Sequence, residues 1–467
     1  MVGQSGRHAT GGRNRGRSLA RLPWGLAARI LGTVTERIRP QERSPRPTPS
    51  LPPGDDRGLG PFARIEPIGA RRLAAVAGLS ALCTALLWLR TDHLTPGSPY
   101  FGLPWDHHMY IFMATHGPLS FHVAPFGWRV LGPLAVWALP GGVQGGFQAL
   151  AVASVALTGV VLWAVCRRLG FGAAPATAGM LLYFSLGYAT KWTLFDFWLS
   201  DPLAFLLVVG AVLLALSGRD LAFAVCLVAG VLAKESAVFV APLFYTLRAR
   251  RPWDPALAAR TAAVTLPAVA ALVAVHLGIP AMNSDPAYVA SLPRPIRLNT
   301  IPHYTYGTVL HDTVVRRLHH WPRTVVGSLS AFGVLVPALA LVGLRRPAAR
   351  SFALRAVPFL LLVYVQLLFA FNTERLLVLG VVALVPLALW GVAELMEIRG
   401  SGPAAFVALA GAFTLAQLAG RHEWEPNPLI QLALLAAFFP LVGPWNPWRG
   451  ARPVPFVASD GPGRPRR

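Results

Sequence analysis

The chain has 467 residues, of which 54% are hydrophobic and 13% charged, where an ordinary soluble domain carries roughly 25% charged. With a mean hydropathy of +0.51, that balance excludes a soluble globular protein. The formal net charge is +22, but the arginines gather at the ends of apolar runs and in the two tails. A basic cytoplasmic face accounts for them, and no nucleic-acid partner is needed.

In chain order, residues 1–70 are rich in Arg, Gly, Pro and Ser without sustained periodicity, and are expected to be a disordered basic cytoplasmic tail. Within it Leu26, Ile30, Leu31, Val34 and Ile38 share one face of a helix over 24–38. That stretch is either an interfacial helix on anionic lipid or part of the unstructured tail. No cleavable signal peptide is expected, because a long basic tail precedes the first apolar run.

Charge then orients the chain. Arg71-Arg72 precede a span at about 73–89, which puts the amino terminus inside and the loop of about 90–145 outside. The next span, 146–166, returns to Arg167-Arg168. Spans at 172–189 and 201–219 follow, then two short apolar segments, 221–233 and 236–247, around Lys234-Glu235. A span at 260–280 leads to a second outer loop at 281–322. Later crossings end at Arg345-Arg346, at Asn372 and at Glu394–Arg399, with two more at 403–419 and 429–443. A basic tail, 444–467, closes the chain inside. Each arginine pair at a span end falls on one side in this scheme. The expected fold is all-α, a polytopic bundle of about twelve spans over 71–443 whose outer loops carry short helices. Pro125–Pro140 is apolar but too short to cross, which suits a re-entrant or interfacial piece.

Cys83, Cys166 and Cys226 are scattered in or beside apolar runs, with no metal-ligand spacing, and are expected to pack rather than pair. Lys191 and Lys234 are the chain's two lysines, and in so arginine-biased a sequence each marks a place where a guanidinium would not serve.

This topology collects ionisable residues at the outer face. Asp106, His107, His108 and Arg129 come from the first loop, and Lys191, Asp196 and Asp201 from the third-to-fourth turn. Lys234-Glu235 and Glu374-Arg375 come from later turns. The ordinary account of such charges is interfacial anchoring. Apolar sequence beside Asp201-Pro202 and Lys234-Glu235 favours a shared polar cavity instead. Asp106 is placed to cap a helix over about 107–116, with Tyr110, Met113 and Ala114 seating that helix on the bilayer. A carboxylate mounted there suits a general base, or a ligand for a divalent cation helped by His107 or His108. A dedicated zinc site is not expected, since no HxxxH or HxxEH pattern occurs.

Four short motifs together resemble the membrane glycosyltransferases of the GT-C superfamily. They are the early outer-loop acid in Trp105-Asp106-His107-His108, the turn Ser200-Asp201-Pro202-Leu203, the run Gly230–Ser236 followed by Pro242, and Thr373–Leu377 opening a span with Pro386. The segment Pro125–Pro133 is similar to a block found in bacterial members. The likeness covers roughly residues 73–395 and is nearest to the polyprenyl-phosphate-sugar-dependent branch, with its lipid A, mannosyl and arabinosyl transferases. It departs from the family in lacking an acid-X-acid pair in the first loop, which puts metal dependence in question.

The resemblance implies transfer of a sugar from a polyprenyl phosphate to a glycan, lipid or protein acceptor at the outer face of the cell membrane. On that basis Asp106 is the catalytic group, and Lys234, Arg129 and Arg375 hold the donor phosphate. Asp201 and Glu235 orient those cations, with His107, His108, Tyr110 and Glu374 in support. A divalent cation is a possible cofactor. Acceptor recognition falls to the loops, chiefly 281–322, since no large outer domain is expected after the last span. Two other readings stand beside this one, a transporter or lipid flippase, and a non-catalytic membrane subunit. No internal repeat supports transport, and a non-catalytic subunit leaves the neighbourhoods of Asp106 and Lys234 unexplained.

Overall fold

Apolar runs that must satisfy their own backbone hydrogen bonds become helices, and the described residues are mostly helical. The computed structural model describes residues 69–418 apart from 139–140, 334, 371 and 400–402, together with residues 433 and 436. The expected tails (to residue 68, and 444–467) and the helical stretch 24–38 lie outside the described residues. So does the last expected span, 429–443, but for those two positions. No strand occurs among the described residues.

The first membrane helix, α1 (Ala70–Arg90), leads into the first loop, which holds α2 (His107–His116) and α3 (Leu131–Ala138). Then come α4 (Gly142–Arg168), α5 (Ala173–Phe184), α6 (Lys191–Phe195), α7 (Asp201–Leu216) and α8 (Asp220–Ala233). A short 3-10 turn at Glu235–Val240 precedes α9 (Ala241–Thr246) and α10 (Pro255–Gly278). The second loop carries α11 (Pro286–Ser291), α12 (Arg294–Asn299) and α13 (Tyr306–His319). The remainder is α14 (Trp321–Phe332), α15 (Leu335–Gly343), α16 (Pro347–Val365), α17 (Thr373–Leu377), α18 (Val381–Arg399) and α19 (Pro403–Ala416). Both of these loops therefore carry short helices.

Among the described residues, five helical stretches are long and apolar enough to cross a membrane, or six if the bent pair α14–α15 is one span. The expectation of about twelve counted each short apolar helix as a full crossing. At a rise of about 1.5 Å per residue, the sixteen residues of α7 reach about 24 Å, short of a hydrocarbon core of about 30 Å. The long helices divide by environment. In α10 11% of the apolar window is buried, with Leu266, Val273 and Leu277 exposed, the pattern of a lipid-facing helix. The stretch Thr373–Glu397 is 94% buried and forms the centre of the bundle.

Close packing against that centre depends on glycine. Gly391 of α18 lies against the Leu339 carbonyl and Gly343 of α15 against the Leu387 carbonyl, so a Cβ at either would run into backbone. This is the small-residue contact that lets membrane helices approach closely. At the arginine-rich end, Arg248 and Arg260 both bind Asp220, and Arg346 binds Glu394 and Glu397. Arg355 donates to the Thr246 and Ala249 carbonyls at 2.8 and 2.9 Å. The basic residues of span ends are thus tied down on one side of the bundle.

The helical hairpin α7–α8 turns at Gly218, whose φ of +68° suits glycine, and it returns Lys234 to the level of Asp201. Two expectations about α2 need correction. Its start is at His107 as expected, but the Asp106 side chain makes no capping bond, because its oxygens are taken by other partners. Tyr110 and Met113 do not seat the helix on lipid. Both are fully buried in a second, aromatic-rich core with Phe121, Phe147, Phe197 and Trp198. The Pro125–Pro140 stretch forms a 3-10 turn and α3, and Val136 of α3 packs on Gly146 of α4.

Replacing Gly391 by Ala is expected to lower stability by more than about 2 kcal/mol through overpacking. Gly411→Ala, where a Cβ meets open space, is expected to leave it unchanged. Thermal unfolding of the two purified variants in one detergent compares them.

Candidate functional site

Four segments far apart in sequence meet at the end of the bundle opposite the arginine pairs. Asp201 opens α7, Lys234 closes α8, Arg375 lies in α17 and Asp106 precedes α2. Arg375 joins them. Its Nη1 donates to Asp106 Oδ2 at 2.8 Å and its Nη2 to Asp201 Oδ2 at 2.7 Å. The other oxygen of Asp201 accepts from Lys234 Nζ, and Asp106 Oδ1 accepts from Asn299 Nδ2 at 3.3 Å. A guanidinium suits this place because its planar fork reaches two carboxylates at once.

Beside this lies a second pair. Arg129 Nε donates to Glu235 Oε2 at 3.0 Å, and its Nη1 donates to the Tyr110 hydroxyl at 3.2 Å. Ser200, next to Asp201, donates to the same hydroxyl at 3.3 Å and links the two groups. Three carboxylates (Asp106, Asp201, Glu235) are thus balanced by three cations (Arg129, Lys234, Arg375). Charges held this far from water persist through such pairing. Arg375 retains one buried donor, Nε, without a partner among the described residues. A narrow cleft runs along Asp201, Lys234 and Arg375, with Tyr188, Phe205 and Leu379 among its apolar walls.

The Arg375 segment is held from behind. Asn372 caps α17 through its side chain, and Gln366 Nε2 donates to the Leu376 carbonyl. Arg317 of α13 donates to the Ala370 carbonyl at 2.6 Å and to Thr373 Oγ1 at 2.9 Å. The second loop therefore fixes the break between α16 and α17.

Of the residues expected at the site, Asp106, Arg129, Tyr110, Asp201, Lys234, Glu235 and Arg375 are brought together. Glu374 is not. It neighbours Arg375, but one residue turns about 100° around a helix, and its carboxylate lies against Gly327 of α14. Lys191 is also apart, buried with Nζ on the Gln417 carbonyl at 3.2 Å.

His107 and His108 turn into aromatics rather than towards a shared ligand. His107 Nε2 lies 3.1 Å from the Phe101 carbonyl, with the two rings 5.0 Å apart. Burial, and then the neighbouring His108, push the His107 imidazole down to about 4. A divalent cation does not fit this donor set. Asp106 and Asp201 hold opposite arms of Arg375, and no group of three His, Cys, Asp or Glu side chains is gathered for a metal among the described residues.

Asn299, Ser200 and Arg317 had no expected role. Asn299 and Arg317 lie in the second loop, where a lone amide or one arginine of a pair carries no pattern. Asp196 was grouped at this face without a role. It is buried within electrostatic reach of Arg375, Asp106 and Asp201, and burial pushes its carboxyl up to about 8. At neutral pH it adds an uncharged acid and leaves the balance intact.

No protein-family model and no curated protein matches the chain.

Arg375→Met is expected to strand two acids and destabilise the fold by about 3 kcal/mol, the lower figure for a buried pair because Asp106 keeps 25% of its side-chain surface. Adding Asp201→Asn should recover part of that loss, read as a coupling energy in thermal unfolding.

A second expectation concerns pH. His107 is held neutral well below its ordinary value, so the unfolded chain takes up its proton first on acidification. Its contribution to stability is complete above about pH 6.5 and falls as the pH drops towards 4. The Tm of His107→Phe, measured across that range, should fall less steeply than that of the parent.

Proposed function

We propose that the protein is an integral membrane glycosyltransferase that moves a sugar from a polyprenyl-phosphate donor to an acceptor hydroxyl, with its site at the outer face. The observation that carries this reading is the convergence of Asp106, Asp201, Lys234 and Arg375 beside a cleft with apolar walls. A lipid phosphate needs fixed cations where its leaving charge develops, and these are worth most where water is scarce. The twelve-span GT-C architecture with both termini inside belongs to the same proposal.

The chemistry follows from the geometry. Asp106, oriented by Arg375 and Asn299, accepts the proton of the acceptor hydroxyl. The acceptor oxygen bonds to the anomeric carbon as the bond from that carbon to the phosphate oxygen breaks. The electron pair leaves with the polyprenyl phosphate. Arg375 and Lys234 stabilise that charge, and the unpartnered Nε of Arg375 supplies a donor to a phosphate oxygen. Arg129, tied to Glu235 and Tyr110, forms the rear of the cationic wall.

One observation favours a second reading. The helical path is interrupted twice near the cluster, at Lys234 to Val240 and between α16 and α17. Broken helices around polar residues are a device of transporters and would serve a lipid flippase. Lipid-scrambling assays in vesicles separate the two, since a transferase leaves labelled product and a flippase does not.

Purified protein in lipid nanodiscs, given radiolabelled polyprenyl-phosphate sugars and a membrane extract as acceptor source, is expected to form labelled product. Asp106→Asn should lower that rate at least about a hundredfold, measured below the variant's own Tm, while leaving expression intact. Near-normal turnover in this variant would remove Asp106 from catalysis.

A further inference from the structure

A line of aromatic rings starts beside Asp106 and ends at the cleft. Tyr100 and Trp105 lie almost parallel, 7° apart in plane with centroids 6.0 Å apart. Trp105 is followed by Trp192 at 6.4 Å, and Trp192 by Tyr188 at 5.9 Å. Tyr188 itself lines the cleft that holds Arg375 and Lys234. The outer end of the line is open, with Tyr100 44% exposed and Trp105 half-buried. None of these four rings has a part in the transfer step derived above.

We propose that Tyr100, Trp105 and Trp192 form a platform for a sugar ring of the acceptor, so that the acceptor is a carbohydrate or glycolipid rather than a protein side chain. The proposal deepens the transferase reading by naming the class of its second substrate. A pyranose has one face of C–H groups and an edge of hydroxyls. The apolar face gains by covering an aromatic ring, and the hydroxyls need hydrogen-bond partners within reach. Both are present here. Trp105 is followed directly by Asp106, whose carboxylate is held by Asn299 and Arg375.

Two other occupants fit less well. A polyprenyl chain would cover the rings but has nothing to offer the carboxylate and amide. A quaternary ammonium would suit the rings, yet the Asp106 charge is already balanced by Arg375. A sugar ring uses both surfaces. Bound there, a hydroxyl pointing along the line towards the cleft meets Asp106 on the way to the donor.

The test is direct binding by saturation-transfer NMR, using the full chain in nanodiscs free of sugar detergents. The probes are methyl α-mannopyranoside, methyl β-glucopyranoside, farnesyl phosphate and choline. The proposal expects transfer to the ring C–H protons of at least one glycoside. Binding should weaken about tenfold in Trp105→Leu and be largely kept in Trp105→Phe, because leucine stays apolar but removes the flat face that phenylalanine keeps. Trp321→Leu, at an exposed tryptophan elsewhere, should bind like the parent. Glycoside binding that is absent, or equal in Trp105→Leu and the parent, would overturn the platform. So would Trp105-dependent binding of choline or farnesyl phosphate alone. Because this readout requires no turnover, Trp105-dependent glycoside binding in a protein without transferase activity would keep the platform and reject the transferase. Product formation without Trp105-dependent binding would do the reverse.

Discussion

The Arg375 guanidinium between Asp106 and Asp201 is the interaction on which the rest depends. Each acid would be costly alone at the end of a helical bundle, with several kcal/mol at stake for an unpaired buried charge. Shared between them, one planar cation satisfies both and fixes the distance between two segments 95 residues apart in the chain (201 minus 106). The remaining members extend outward from this pair: Lys234 on the second oxygen of Asp201, Asn299 on the second oxygen of Asp106, and Arg129 with Glu235 behind. Three acids against three bases leave the group neutral while concentrating polar chemistry in an apolar surround.

The fold serves this arrangement through a few constraints. The α7–α8 hairpin brings Lys234 back to Asp201 because two helices of similar length are joined by a tight turn at Gly218. The most buried helix continues directly from the segment bearing Arg375, so the cation rests on the innermost part of the bundle. Arg317 and Gln366 hold the break ahead of it with hydrogen bonds to backbone that no helix satisfies. The two loops are thus built into the site rather than laid over it. Asn283, for example, ties the first loop to the second through both the N–H and the carbonyl of Ala124.

Much of this was legible from sequence for a physical reason. Ionisable residues are rare in apolar sequence, so Asp106, Asp201, Lys234 and Arg375 stand out, and the arginine pairs place them at one end. Helix existence was equally readable, down to the start of α2 at His107. What stayed hidden depends on three-dimensional partners. An N-cap position predicted a capping bond for Asp106, and tertiary ion pairing overrode it. Tyr110 and Met113 have the spacing of a lipid-facing stripe, but an aromatic core claimed them. Glu374 shared a motif with Arg375 and not a face. Asn299 and Arg317 carry no local signal, since their importance comes from the carboxylate and the carbonyls they meet. Apolarity alone does not report the length of a helix, and five or six stretches among the described residues are long enough to cross a membrane.

The account stands or falls on whether Asp106 and Arg375 meet at one face of the membrane. Cysteines at these two positions, with Cys83, Cys166 and Cys226 replaced by alanine, allow a direct measurement by cross-linking with a short bifunctional maleimide, since an arginine side chain reaches further than a disulfide does, and by labelling with a membrane-impermeant maleimide. The account predicts an intramolecular cross-link, and labelling of both single-cysteine proteins from the same side. Failure to cross-link, with labelling from opposite sides, would contradict it.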